Sequence, residues 1–298
     1  MIRVHQLFGA KAPKIGKGLK TDKLLLKNQL VGLEIEAEGV SYADLEAFHG
    51  EHGFPLGWDK IRDGSLRNGG IEFVMTEPAC GKTLVNRITR INNYLSKFEE
   101  FQGNPLMHNI RTSLHVHLNF SDKTKDQLFG FTVMYLIFER ILAKYCGKKR
   151  EENVFCVPVF KSFATYSQLE AFFIHGKFTA EERHKYGAIN LHSLRKFQSL
   201  EIRLHPGTHN VSKILRWINI LFCMVKAGEE YVDSGRLHRI PEIVSSEDMI
   251  PFGITVFSEY WKPLTLGISE EVLREIILKG VREAQDLVYF YPFAKENY

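Results

Sequence analysis

Cysteine is scarce in this chain of 298 residues, limited to Cys80, Cys146, Cys156 and Cys223. None forms a CxxC and no pair has zinc-finger spacing, so neither a disulfide framework nor a cysteine-bound zinc is indicated. Reduced thiols in a cytoplasmic protein are the expectation. Long hydrophobic runs are also missing. The most apolar stretch, Leu128 to Phe138, is interrupted by Gly130 and ended by Glu139-Arg140, which suits a buried helix and not a membrane span. Met1-Ile2-Arg3-Val4-His5 is not followed by an apolar segment, so no signal peptide is expected. An excess of one charge is lacking too. With 39 Lys and Arg against 35 Asp and Glu, the formal charge of +4 does not argue for nucleic acid. Leu194-Arg195-Lys196-Phe197 is basic and aromatic but too short to change that. Cys80-Gly81-Lys82-Thr83 looks like the end of a phosphate-binding loop, but Thr76 stands where that loop needs glycine. There is no internal repeat, low-complexity tract or linker.

What is present is material for a folded core: 44% hydrophobic residues, 25% charged, 22 Phe and 11 Tyr, enough for one large domain or two smaller ones. Residues 1–28 carry Lys11, Lys14, Lys17, Lys20, Lys23 and Lys27 with little periodicity and read as a basic, flexible arm. A strand is expected over 30–38 and a short helix from Tyr42 to His49. Residues 50–70 are rich in Gly and turn formers, and Ile71–Met75 reads as a strand. Leu84, Ile88, Ile91, Leu95 and Phe98 recur at helical spacing and predict an amphipathic helix over 83–101. Further helices are expected over 122–146, 166–174 and 211–231. A last one over 270–288 is signalled by Ser269 before Glu270 and Glu271. Residues 186–191 and 198–205 read as a strand pair.

Three strand-like stretches carry the chemistry. They are Val31-Gly32-Leu33-Glu34-Ile35-Glu36, Ser113-Leu114-His115-Val116-His117-Leu118 and Leu200-Glu201-Ile202-Arg203-Leu204. Residues i and i+2 of a strand share a face. Glu34 therefore sits with Glu36, His115 with His117, and Glu201 with Arg203, while Leu, Ile and Val fill the other face. Parallel sheets bury both faces, so these polar faces point to α+β, with helices on one side of a mainly antiparallel sheet. Glu34, Glu36 and Glu38 could be the wet face of an edge strand. However, like charges side by side repel unless a cation lies over them. Glu72, between Ile71 and Phe73, adds another carboxylate, a ligand type that suits Mg²⁺ or Mn²⁺. The HxH pair alone is weak evidence for zinc. Beside acidic strands it points to function. Arg203 next to Glu201 supplies the rigid donor fork that phosphoryl chemistry uses.

Taken in order, these segments, with Asp63-Gly64-Ser65-Leu66, Gly70-Ile71-Glu72-Phe73, Tyr186-Gly187-Ala188-Ile189-Asn190-Leu191 and Gly207-Thr208-His209-Asn210, resemble the amidoligase family. That family belongs to the carboxylate–amine ligases, with glutamine synthetase and glutamate–cysteine ligase. The resemblance runs over roughly residues 30–215. It implies a single catalytic domain over 29–298, whose part beyond 211 is helical, built on a glutamine-synthetase-like curved, mainly antiparallel sheet with helices on its outer face. It implies ATP- and Mg²⁺- (or Mn²⁺-) dependent joining of a carboxylate to an amine through an acyl phosphate. By motif position Glu34, Glu36, Glu72 and Glu201 would be the metal ligands. Arg203, His115 and Asp63 would be catalytic, and His117, Arg150, Asn190 and Arg203 would contact ATP or substrate. Phe155-Cys156 replaces a common Tyr-Cys, and Glu77-Pro78 stands where a Pro-rich turn is typical. Neither removes a proposed ligand. The glutamine synthetase N-terminal domain is absent, so ring assembly is not implied.

The residues and the resemblance together favour an ATP-dependent ligase of small-molecule, peptide or protein carboxylates and amines, with no nucleic acid or membrane partner. A metal-dependent hydrolase using the same groups is the second reading. A non-catalytic binding relative is the third.

Overall fold

The computed structural model describes residues 3–7, 28–67, 69–178, 186–245 and 248–292. Most of the basic arm lies outside these. The elements are α1 (Val4–Leu7), β1 (Val31–Ala37), α2 (Tyr42–His52), β2 (Trp58–Arg62), β3 (Ile71–Met75), α3 (Gly81–Gln102), β4 (Ser113–Asn119), α4 (Lys125–Cys146), α5 (Lys148–Glu151), α6 (Phe163–Phe173), β5 (Ile189–Asn190), α7 (His192–Phe197), β6 (Ser199–Pro206), α8 (Val211–Asp233), α9 (Ile240–Ser245), α10 (Met249–Phe257), α11 (Trp261–Thr265) and α12 (Glu270–Phe290). The strands form one open sheet in the order β2-β3-β1-β4-β6-β5, with every pair antiparallel. The α+β architecture expected from the polar strand faces is the one observed.

β1 lies third of six, flanked by β3 and β4, so Glu34 and Glu36 are not on an edge. Alternation then sorts the side chains. Leu33, Ile35, Phe73, Leu114, Val116, Leu118, Leu200 and Ile202 are fully buried on the core face. Helices α3, α4 and α8 supply the other half of that core. α4 is capped reciprocally by Thr124 and Gln127, α8 by Asn210 and α12 by Ser269. α4 passes so close to α8 that a Cβ on Gly130 would lie 2.6 Å from the Gly228 carbonyl oxygen, and one on Gly228 2.5 Å from the Phe131 nitrogen.

Two regions differ from the sequence reading. Within the stretch taken as turns, Trp58–Arg62 forms the edge strand β2, paired with β3. Its pattern is weak because only Trp58 is buried. Between the expected helices 211–231 and 270–288, the chain adds α9, α10 and α11. Pro241, Pro251, Gly253 and Pro263 fall inside these elements and hide their periodicity. Near the N-terminus, Val4 is buried and its N–H bonds the Lys123 carbonyl at 2.8 Å, while Arg3 Nη1 donates to the Asp122 carbonyl at 2.8 Å. Among the described residues, no helix is long and apolar enough to cross a membrane.

Candidate active site

The antiparallel registers align the polar residues across five strands. Glu36 faces Glu72, Glu34 faces His115, Gly32 faces His117, and His117 faces Glu201, with Asn190 opposite Glu201 on the far side. Directly opposite residues share a face at close range, so the face opposite the core becomes a nest of carboxylates and imidazoles. Glu34 sits at its centre. His115 Nδ1 lies 2.8 Å from Glu34 Oε2, and His117 Nε2 3.0 Å from Glu34 Oε1. His115 also reaches Glu72 and Glu201, each at 3.6 Å, and Glu36 at 3.4 Å.

Each carboxylate has its own support. Asn190 Nδ2 and Ser193 Oγ donate to Glu201 Oε2 at 2.7 and 2.9 Å, and Arg203 Nη1 pairs with Oε1 of the same group. Asn190 thus orients Glu201, and its own oxygen accepts from the His192 N–H. Ser199 Oγ is 3.2 Å from His117 Nδ1. Glu36 accepts the Ser113 N–H at 2.6 Å. Asp63 accepts from the Ser65 N–H and hydroxyl, closing a short turn on the cavity wall. Glu38, which continues the same strand face, is buried and accepts from the Arg67 N–H and Asn109 Nδ2, so it anchors a loop. Arg150 does not line the cavity and gives all five of its N–H groups to groups within the fold.

Electrostatics follow from the crowding. Burial opposes the charge on Glu34, but His117 and His115 hold its carboxyl well below the ordinary range. Burial also opposes the charge on Glu201, and Arg203 with the two imidazoles again brings it down. At Glu72 burial wins, pushing its carboxyl up to about 7, with the charge of Glu34 adding to the effect against the pull of His115. Burial and Arg203 disfavour a charged His115, yet Glu36, Glu34 and Glu72 push it up to about 10. His117 is raised in the same way: burial works against it and Glu34 dominates. Without added cations, the nest balances itself by keeping protons.

Two ligand sets emerge among the described residues: Glu34, His117 and Glu201, and Glu34, Glu72 and His115, each with one ligand atom per residue and all within 4.8 Å of one another. Glu34 belongs to both. The sets bring together three of the four carboxylates expected as ligands and add both imidazoles. Glu36 stands outside them. The fit to cations is supported by the donor chemistry: His117 Nε2 and His115 Nδ1, both on buried imidazoles, face the Glu34 carboxylate oxygens at 3.0 and 2.8 Å.

Two cavities adjoin Glu34. A polar one of about 330 Å³ is lined by Glu36, Arg62, Asp63, Ser65, Glu72, His115, Tyr186, Glu201 and Arg203 besides Glu34. A more apolar slot of about 400 Å³ lies beside His117, between Ile61, Val74, Met75, Pro78 and Phe197. Gly32 lines that slot, and a Cβ there would stand 3.4 Å from His117 Cβ. Sequence reasoning did not find Arg62, Tyr186, Ser193 or Ser199. Ser193 and Ser199 both closely precede Glu201 in sequence, but nothing in a lone serine marks it.

Residues 85–224 match the family described as "Putative amidoligase enzyme". Over that segment, a little under half of the chain, the sequence is similar to that family. No curated protein matches the chain. The amidoligase segment holds His115, His117, Asn190, Glu201 and Arg203. Glu34, Glu36 and Glu72 precede it and join the site through the β1–β3 and β1–β4 pairings, and Asp63 precedes it in the turn after β2. The name denotes ligases that form amide bonds, and it agrees with the resemblance carried by the motifs.

Proposed function

We propose that the protein is an ATP- and Mg²⁺-dependent carboxylate–amine ligase, acting through an acyl phosphate. The observation that carries the reading is the pair of ligand sets sharing Glu34, with Arg203 held beside Glu201. Glu34, Glu72, Glu201, His115 and His117 would hold the cations, with Mn²⁺ also suited to the imidazoles. Bound Mg²⁺ supplies neutralisation of phosphate charge and polarisation of the phosphoryl group being transferred. The apolar slot suits a nucleotide base, and the polar cavity suits the acid. Glu34 lies between them, so the γ-phosphoryl group would cross the nest from one side to the other.

The chain's own part is positioning and electrostatics. Arg203 gives Nη1 to Glu201, and its buried Nε has no hydrogen-bond partner among the described residues. That N–H would meet an oxygen of the transferring group. Transfer breaks the bond from the γ-phosphorus to the bridging oxygen and forms one to the substrate carboxylate, releasing ADP. The amine then attacks the acyl carbon, phosphate leaves, and the amide remains after loss of a proton. Asn190 and Ser193 keep Glu201 oriented, and Ser199 keeps His117 oriented.

Thermal shift and calorimetry with ATP, with and without Mg²⁺, test this. A Mg²⁺-dependent gain in Tm in wild type that Glu34→Gln abolishes is expected, because a ligand that binds only the native state raises Tm. Hydroxylamine added with ATP and a carboxylate panel should then trap hydroxamates. Turnover that needs metal but no ATP would instead favour the hydrolase reading, to which the histidine-containing ligand sets are also suited.

A further inference from the structure

Arg150 is 2% exposed, and among the described residues no carboxylate pairs with it. A buried guanidinium without a counter-ion is costly unless its donors are all satisfied. Here they are: Nε donates to the Leu204 carbonyl at 3.0 Å, and Nη2 to the Arg203 carbonyl at 2.7 Å and Ser113 Oγ at 2.8 Å. Nη1 donates to the carbonyls of Thr112 at 3.2 Å and Ile110 at 3.3 Å.

The place where this fork sits is specific. Along the β4–β6 pair, Leu114 faces His205 and Val116 faces Ile202. One residue of β4, His115, therefore opposes two of β6, Arg203 and Leu204. This is a β-bulge, which takes backbone groups out of the ladder and re-aims a side chain. The two bulged residues are the ones whose carbonyls Arg150 takes. On the other side, the Arg203 N–H donates to the Ala188 carbonyl at 2.9 Å. The Arg203 peptide is thus gripped from both sides, and only a five-donor fork can take two bulge carbonyls and three β4-side acceptors together.

We propose that Arg150 is a positioning residue, holding the β6 bulge that sets the Arg203 guanidinium against Glu201 and His115. The proposal rests on the reading of Arg203 as the group that meets the transferring phosphoryl. It gives Arg150 a place behind the site and no contact with substrate.

The test uses the full chain as wild type, Arg150→Met, Arg150→Lys, Ser113→Ala and Arg203→Ala, with the two Arg150 variants and Ser113→Ala each also combined with Arg203→Ala. Calorimetry with Mg²⁺ and a non-hydrolysable ATP analogue reads the coupling. Arg150→Met should weaken analogue binding about tenfold, and Arg150→Lys should do the same because an ammonium has three donors. Neither should weaken it further once Arg203 is Ala. Ser113→Ala removes one of the five bonds and keeps the guanidinium, so it carries the test if the Arg150 variants do not fold, with a smaller loss that also vanishes in Arg203→Ala. Losses that simply add to that of Arg203→Ala overturn the proposal. Amide exchange gives a second readout that needs no nucleotide. The Arg203 amide should exchange faster in the Arg150 variants and in Ser113→Ala, while the β1–β3 amides keep their protection. An unchanged Arg203 amide overturns the proposal. Wild type that fails to bind the analogue would sink the ligase reading, and the exchange result would still decide whether Arg150 holds the bulge.

Discussion

Glu34 faces both imidazoles and belongs to both candidate ligand sets, so one substitution there addresses both proposed cation positions. Glu34→Gln should abolish the Mg²⁺-dependent rise in Tm. Glu72→Gln and Glu201→Gln, each in one set, should leave part of it. A full rise in Glu34→Gln would refute the ligand assignment. Protons report on the same nest. His115 is raised to about 10 and Glu72 to about 7, so near neutral pH the proposed cations would displace protons on binding. Calorimetry of Mg²⁺ in buffers of different ionisation enthalpy should therefore show proton release, and identical enthalpies in all buffers would contradict it. At this scale the sequence was informative where spacing forced a shared face, as for Glu34 with Glu36 and His115 with His117. It was silent on partners set by register. Nothing in Asn190 or Ser193 announces that both hold Glu201, and Arg150 reads as a ligand residue until the bulge is seen.

Helices and strands carry their own consequences. Where α4 crosses α8, Gly228 leaves no room for a methyl group against the Gly130 and Phe131 backbone. Gly228→Ala should cost about 2 kcal/mol of stability by overpacking, measured by urea unfolding. A neutral or stabilised variant would mean that the crossing gives way easily. Glu139, inside α4, is fully buried, and its two oxygens accept the N–H groups of Val159 and Phe160. Burial outweighs those bonds and pushes its carboxyl up to about 7 from an ordinary 4.5. The folded state then keeps a proton that the unfolded chain gives up. This contribution is present in full below the ordinary range and is lost as pH rises through about 7, worth at most about 3 kcal/mol. Glu139→Gln should flatten the fall in Tm between about pH 5 and 8, and parallel profiles for the two proteins would discard the idea. Element prediction worked where one periodicity ran unbroken, as in α3, α8 and α12. It missed β2, whose edge position leaves little to bury, and α9 to α11, where Pro and Gly interrupt the pattern.

Across the whole molecule, the N-terminal Arg3–Leu7 segment is docked against the start of α4, with Val4 in the core. Val4→Ala should cost about 2 kcal/mol by leaving a cavity, and an unchanged urea midpoint would show that this segment adds nothing to stability. The antiparallel architecture was legible because polar strand faces exclude a sheet buried on both sides. The strand order was not, since no local signal tells β1 to pair with β3 and β4 at once. That order also governs when the site can exist. Glu34 meets His115 across 81 positions of chain, Glu36 meets Ser113 across 77, and His117 meets Ser199 across 82. Among the described strands only the β2–β3 and β5–β6 pairs are local, and neither contains Glu34, His115 or His117. Loops this long must close before any of the central contacts repay their entropy. A nascent or partly folded chain therefore has neither complete ligand set, and if the proposed cations bind, their capture would report that the long-range pairings of β1 and β4 have been made.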